Sequence, residues 1–222
     1  MALNNITLSR SQESVLATNA VLRKTYLLLS LTLLFSAFTA WLAMSINAPV
    51  LSPWITLIAY FGLLFITSAL RNSPLGLLAT FAFTGFMGYS LGPILNYYLH
   101  HTINGHQIVM TSLGGTGLIF FALSGYALAS KKDFSYMGAS LVVGLLVAFL
   151  LSLGAMVFHW PAVMMAVSAM FILLSSGVIL FQTSAIIHGG ETNYIMATIT
   201  LYVSLYNIFI SLLTLLTGNN RN

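Results

Sequence analysis

The sequence predicts an all-α, polytopic membrane protein with seven transmembrane helices, and three observations carry that prediction. Only 5% of the 222 residues are charged while 59% are hydrophobic, against about 25% charged in an ordinary soluble domain. Too few charges exist to coat a surface facing water. The apolar residues come in unbroken runs of about the 20 residues needed to cross a bilayer. The runs are separated by short breaks rich in helix punctuation. A transmembrane β-barrel is excluded by the same runs, because barrel strands alternate at period two over about ten residues.

Each span is justified in turn. A polar head, 1–24, precedes the first span at 26–46, which Pro49 and Pro53 close off. The second, 54–70, stops at Asn72, Ser73 and Pro74; the third, 75–99, stops at Asn104 and Gly105. The fourth, 107–129, ends at Lys131, Lys132 and Asp133. The fifth, 136–158, ends at His159, Trp160 and Pro161. The sixth, 161–187, meets Gly189 and Gly190 before the seventh, 192–216. Short connections make consecutive helices antiparallel neighbours and leave no room for a soluble domain. The expected domains are a cytoplasmic tail 1–24, a seven-helix body 25–217 and a short external tail 218–222. The head, with almost no apolar run before Val21 and bounded by Arg23 and Lys24, is expected to be disordered.

The basic residues give the orientation. Arg10, Arg23, Lys24, Arg71, Lys131 and Lys132 fall on one side of a seven-span thread, and only Arg221 on the other. By the positive-inside rule the N-terminus is cytoplasmic and the C-terminus external. The net charge of +4 is thus a topology signal and implies no nucleic-acid partner. Head and first run are both too long for a typical cleaved signal. With no cysteine, disulfides, thiolate catalysis and cysteine metal sites are excluded together.

Motifs for membrane enzymes are missing. The His-Glu-x-x-His pattern of zinc proteases is absent. An aspartyl protease needs two intramembrane aspartates, and Asp133 is the only one, in a loop. Ser124-Gly125 is the nearest approach to a serine nucleophile, and its flanking spans lack a histidine base. The seventh span has no lysine for a retinal Schiff base. No catalytic residue, cofactor or metal site is therefore expected. His100, His101 and His106 read as a hydrated outer loop without the accompanying carboxylate or cysteine of a metal site. His159 with Trp160 reads as an interface anchor.

Small residues mark packing faces. Gly88 and Gly92 lie four apart on the third span, followed by Pro93, which should kink it. Gly114, Gly115 and Gly117 on the fourth span, and Ser175, Ser176 and Gly177 on the sixth, make similar faces. Such faces let helix backbones approach closely in lipid, and packing within the bundle is the expected use.

Four segments carry a resemblance. "VLRKTYLLLSLTLLFSAFTA", "TGFMGYSLGPILNYY", "FQTSAIIHGGETNY" and "LYVSLYNIF", in this order across nearly the whole chain, resemble the Bax inhibitor-1 family, above all its bacterial branch. The resemblance implies a seven-helix fold with the last helix central among the other six, in a bacterial inner membrane. It implies a regulator that binds, or is slowly processed by, an ATP-dependent membrane protease of the FtsH type. The alternative it implies is a pH-sensitive calcium leak or transporter. In channel-type members an aspartate pair in the sixth and seventh helices senses protons. Gln182 and Ser204 stand at those places here, followed by the matching Asn207 and Phe209. Gln182 and Ser204 could hydrogen-bond each other but cannot titrate, and neutral oxygens hold a divalent cation weakly. Calcium is therefore a doubtful partner.

The junction between the last two spans holds one of only three acidic residues. Gly189-Gly190 reads as a helix C-cap, Glu191 as a charge complementing the next helix dipole, and Thr192 or Asn193 as its N-cap. The competing reading makes His188 and Glu191 a proton- or cation-responsive cytoplasmic gate.

Overall fold

The computed structural model describes residues 2–219, with side chains described at Leu16 and from Thr18 to Gly218. Seven α-helices follow in order: α1 Ala2–Ser45, α2 Pro53–Ala69, α3 Leu75–His101, α4 Gly105–Ser130, α5 Gly138–Val157, α6 Pro161–Ile187 and α7 Tyr194–Asn219. One 3₁₀ turn, Ser135–Met137, precedes α5. No strand occurs among the described residues. Among the described residues six helices are long and apolar enough to cross a bilayer, and α2 is a shorter apolar helix of 17 residues. The expected tail at 218–222 lies mostly outside the described residues.

The head departs from expectation. It is helical from Ala2 and continuous with the first span, so α1 has 44 residues. The physical reason is in the sequence: residues 2–45 contain neither proline nor glycine, the two residues that most readily stop a helix. The polar residues of this segment do not oppose a helical backbone.

Helix α7 is the axis of the bundle. It packs against α1, α3, α4 and α6, and Leu201, Ile208 and Leu213 along it are completely buried. Helix α2 joins the bundle through α3, and α5 through α6. The core around α7 gathers Leu29, Phe83, Ile179, Ile199 and Tyr202 from α1, α3, α6 and α7.

The closest helix pairing is α1 with α3. A Cβ added at Gly88 would overlap the Ser36 carbonyl and the Thr39 hydroxyl. One at Gly92 would lie 2.6 Å from the Ala40 carbonyl oxygen and 2.6 Å from the Ala43 Cβ. Helix α3 runs on through Pro93 to His101. The glycines of α4 behave differently: added Cβ atoms at Gly114 and Gly117 would meet nothing within 4 Å, and at Gly115 only a Leu212 methyl at 3.2 Å. The expected bundle-packing role holds for one of these three positions.

Side-chain bonds gather three connections at one end of the bundle. Asn193 Nδ2 donates to the Arg71 carbonyl at 3.0 Å and to Asn72 Oδ1 at 2.9 Å. Ser184 Oγ donates to the Lys132 carbonyl at 3.0 Å and accepts from the Phe134 amide at 3.0 Å. Lys24 Nζ stands 5.6 Å from the centre of the Tyr194 ring. Lys24, Arg71 and Lys132 are therefore at the same end, as the charge distribution anticipates.

Candidate functional site

The α6–α7 junction is built as a complete turn. Gly189 adopts φ +75°, its amide donates to the Ile186 carbonyl at 3.2 Å, and the Gly190 amide donates to Ala185 at 2.8 Å. This pair of bonds is a Schellman motif, satisfying carbonyls that the end of α6 would otherwise leave free. Asn193 then caps α7, its Oδ1 accepting from the Ile195 and Met196 amides at 3.0 and 3.1 Å. Glu191 Oε1 accepts the Asn193 amide at 2.8 Å. His188 Nδ1 lies 2.9 Å from the Ser184 carbonyl and 3.3 Å from Ser184 Oγ. His188 and Glu191 thus each serve local backbone.

The acidic group that the structure does bring toward His188 is Asp133, from the α4–α5 connection. Its carboxylate accepts the Ser135 amide at 2.9 Å and the Ser135 hydroxyl at 2.5 Å. These two bonds, the hydroxyl's first, hold the Asp133 pKa below its ordinary value, and the nearby His188 adds to the effect. Sequence spacing could not have paired residues 55 positions apart.

Deeper in the bundle, Gln182 and Ser204 are 5% and 3% exposed. They do not hydrogen-bond each other. Ser204 Oγ donates one turn back to the Thr200 carbonyl at 2.8 Å, and Gln182 Nε2 is buried without a partner. A hydroxyl one turn from a helical carbonyl finds its acceptor locally, a recurrent competitor for longer-range pairing.

Thr200, Ser204 and Asn207 fall at i, i+4 and i+7 on α7, so they share one face. That face looks into a cavity of about 600 Å³ between α2 and the α5–α7 side of the bundle. Tyr60, Phe61 and Phe65 form its α2 wall, and Ser175 contributes from α6. The Ser175 hydroxyl is buried and has no hydrogen-bond partner among the described residues. Sequence reasoning had assigned Ser175 to packing; its role as a cavity wall depends on α2 standing off from α6 and α7. The signal for the α7 stripe was present in the spacing of residues 200, 204 and 207.

The opposite face of α7 carries a separate, satisfied set of hydroxyls. Tyr202 Oη is 2.6 Å from Ser36 Oγ and donates to the Thr84 carbonyl at 3.2 Å. Nearby, Tyr26, Ser124 and Thr183 hydrogen-bond across α1, α4 and α6. Ser124 is thus a buried structural hydroxyl between two others. His100 and His101, expected in a loop, form the last turn of α3, and His106 lies in the first turn of α4; His101 stacks on Tyr97 with ring centroids 5.1 Å apart, and His100 Nδ1 is 2.9 Å from the Asn96 carbonyl.

A helical bundle with an uncharged polar stripe on its central helix defines a polytopic membrane protein with a neutral interior site. The chain belongs to the family described as inhibitor of apoptosis-promoting Bax1, which matches residues 18–222. It is 49% identical to the Escherichia coli K12 protein named modulator of FtsH protease YccA, over 96% of this chain and 97% of that one. An uncharacterized Pseudomonas aeruginosa protein is 50% identical, over 88% of this chain and 87% of its own length. An uncharacterized membrane protein of Vibrio cholerae is 43% identical, over 97% of each chain.

Proposed function

We propose that the protein is a regulator, not a catalyst, that binds an ATP-dependent protease of the FtsH type in the bacterial inner membrane and modulates it, being itself a slow substrate. The observation that carries this reading is the 49% identity, along nearly the full length of both chains, to a protein named as a modulator of that protease. The neutral stripe supports it over the calcium leak. Ion pathways usually contain titratable intramembrane groups, and Gln182 and Ser204 supply none at the positions that matter.

The end bearing Lys24, Arg71 and Lys132 is the cytoplasmic one by the positive-inside rule, which puts the N-terminus inside and the C-terminus outside. Residues 2–17 then extend α1 by 16 residues, about 24 Å at 1.5 Å per residue, below the span that begins at Thr18. This extension is the handle for the protease. Helix ends open at smaller cost than helix interiors, which gives the protease a place to begin.

Co-purification from solubilised membranes, followed by turnover assays, tests the reading. The full chain should retain the protease, and deletion of residues 2–20 should slow its own turnover while the seven-helix body still folds. A chain that never co-purifies with the protease sinks the proposal. Unchanged turnover of the truncated form removes the handle alone.

A further inference from the structure

We propose that the cavity between α2 and the α5–α7 side is a binding site for a neutral, membrane-dissolved molecule bearing a carbonyl group. The inference goes beyond the protease reading and does not depend on it. Four features of the cavity select this chemistry.

The first is neutrality. Its lining contains no Asp, Glu, Lys, Arg or His. A charged ligand would be left without a counter-charge inside a bilayer, where an uncompensated charge is strongly disfavoured.

The second is the balance of donors and acceptors. Ser175 is 1% exposed, lines the cavity and has a hydroxyl without a partner. Asn207 lines the same space with an amide that can donate two hydrogens. Ser204, by contrast, has spent its only hydrogen on the Thr200 carbonyl. The unpartnered Ser175 hydroxyl calls for an acceptor on the ligand, and the carbonyl is the common uncharged acceptor of membrane-dissolved molecules. In lipid no solvent water stands ready to satisfy a buried hydroxyl.

Shape is the third. The lining residues of α7 run from Met196 to Asn207, about 16 Å at 1.5 Å per residue. The volume of about 600 Å³ lies in the range of small-molecule sites.

Access is the fourth. Phe65 on the α2 wall is 75% exposed and Phe61 is 46% exposed, so the site borders the lipid-facing surface. Phe61 also meets Phe149 of α5 edge-on, with ring centroids 5.7 Å apart. A ligand therefore enters sideways from the membrane, beside a pair of aromatic rings that suit a flat or chain-like body.

Two kinds of molecule share this chemistry, an alkyl quinone and an acylglycerol ester, and the test separates them. The full-length protein in nanodiscs is titrated with decyl-benzoquinone, with a monoacylglycerol of matching chain length, and with decylbenzene as the carbonyl-free control. Saturable binding of at least one carbonyl probe is expected, about tenfold tighter than decylbenzene, as the loss of one well-placed hydrogen bond implies. The tighter carbonyl probe names the source. Ser175→Ala should weaken that probe about tenfold and Ser175→Thr should restore it.

Because the Ser175 hydroxyl has no partner to lose, Ser175→Ala should leave the fold intact and unfold at the same or a higher temperature without ligand. Saturating ligand should raise the wild-type unfolding temperature more than that of the alanine variant. The proposal is overturned if decylbenzene binds as well as the carbonyl probes, if no probe binds saturably, or if folded Ser175→Ala retains full affinity.

Discussion

Helices α3 and α4 carry glycines in similar abundance, and the bundle uses them in opposite ways. On α3, Gly88 and Gly92 face α1 so closely that a methyl group would run into its backbone. On α4, Gly114, Gly117 and Gly125 would meet nothing within 4 Å. A small residue in a membrane helix permits close approach, but whether a neighbour takes up the permission depends on where the other helices stand. Helix α1 lies along α3, whereas α4 turns part of its glycine face outward. Gly189 adds a third case. Space around it is open, yet its φ of +75° is one that a side chain opposes.

These three kinds of glycine make a graded experiment. Gly88→Ala should cause the largest loss, about 1–3 kcal/mol, as overpacking of a tight contact does. Unfolding of the detergent-solubilised protein measures it, and wild-type stability in this variant would break the contrast between α3 and α4. Gly189→Ala should cost roughly 1–2 kcal/mol through backbone strain alone. Its signature is local: faster amide exchange around residues 185–193, with the α1–α3 contact undisturbed. Gly114→Ala should be neutral or stabilise by up to about 1 kcal/mol, the usual helix preference of alanine over glycine. A loss as large as that at Gly88 would mean that α4 also has a tight partner.

The smallest effect is expected at Asp133, away from both faces. Its pKa is depressed in the folded protein chiefly by the Ser135 hydroxyl and amide. A depressed carboxylate contributes stability above its unfolded pKa and loses it as pH falls through the folded value. The contribution is therefore present at neutral pH and disappears only in acid. Asp133 is the single aspartate in the chain, so its side-chain carbon gives one assignable resonance. Ser135→Ala should move that titration upward, toward the ordinary carboxylate range; an unchanged midpoint would show that the hydroxyl is not what lowers it.

The spans were legible because bilayer thickness imposes a length that composition alone reveals. The α6–α7 turn was legible too, since Gly189, Gly190 and Asn193 each have a narrow conformational or capping use. The helical head was missed because low hydrophobicity argues against packing and says nothing against helix in a stretch free of proline and glycine. The cavity was hidden for another reason. Ser175 and Asn207 become neighbours of one space only through the placement of α2, and nothing within residues 53–69 records that placement. The bond that Gln182 and Ser204 could have made is not formed, because Ser204 has a local acceptor in the Thr200 carbonyl.

The shortness of α2 has a consequence for the surrounding lipid. Its 17 residues cover about 26 Å, short of a hydrocarbon layer roughly 30 Å thick. Helices α3 and α6, with 27 residues each, cover about 40 Å and fit the same layer by tilting. A helix that short is matched to the layer by local thinning or by flanking residues that reach to the interface, which sets the α2 flank of the protein apart from those of α3 and α6. Acyl-chain length then becomes a variable it feels on that flank, and thicker membranes press hardest on the helix that walls the cavity.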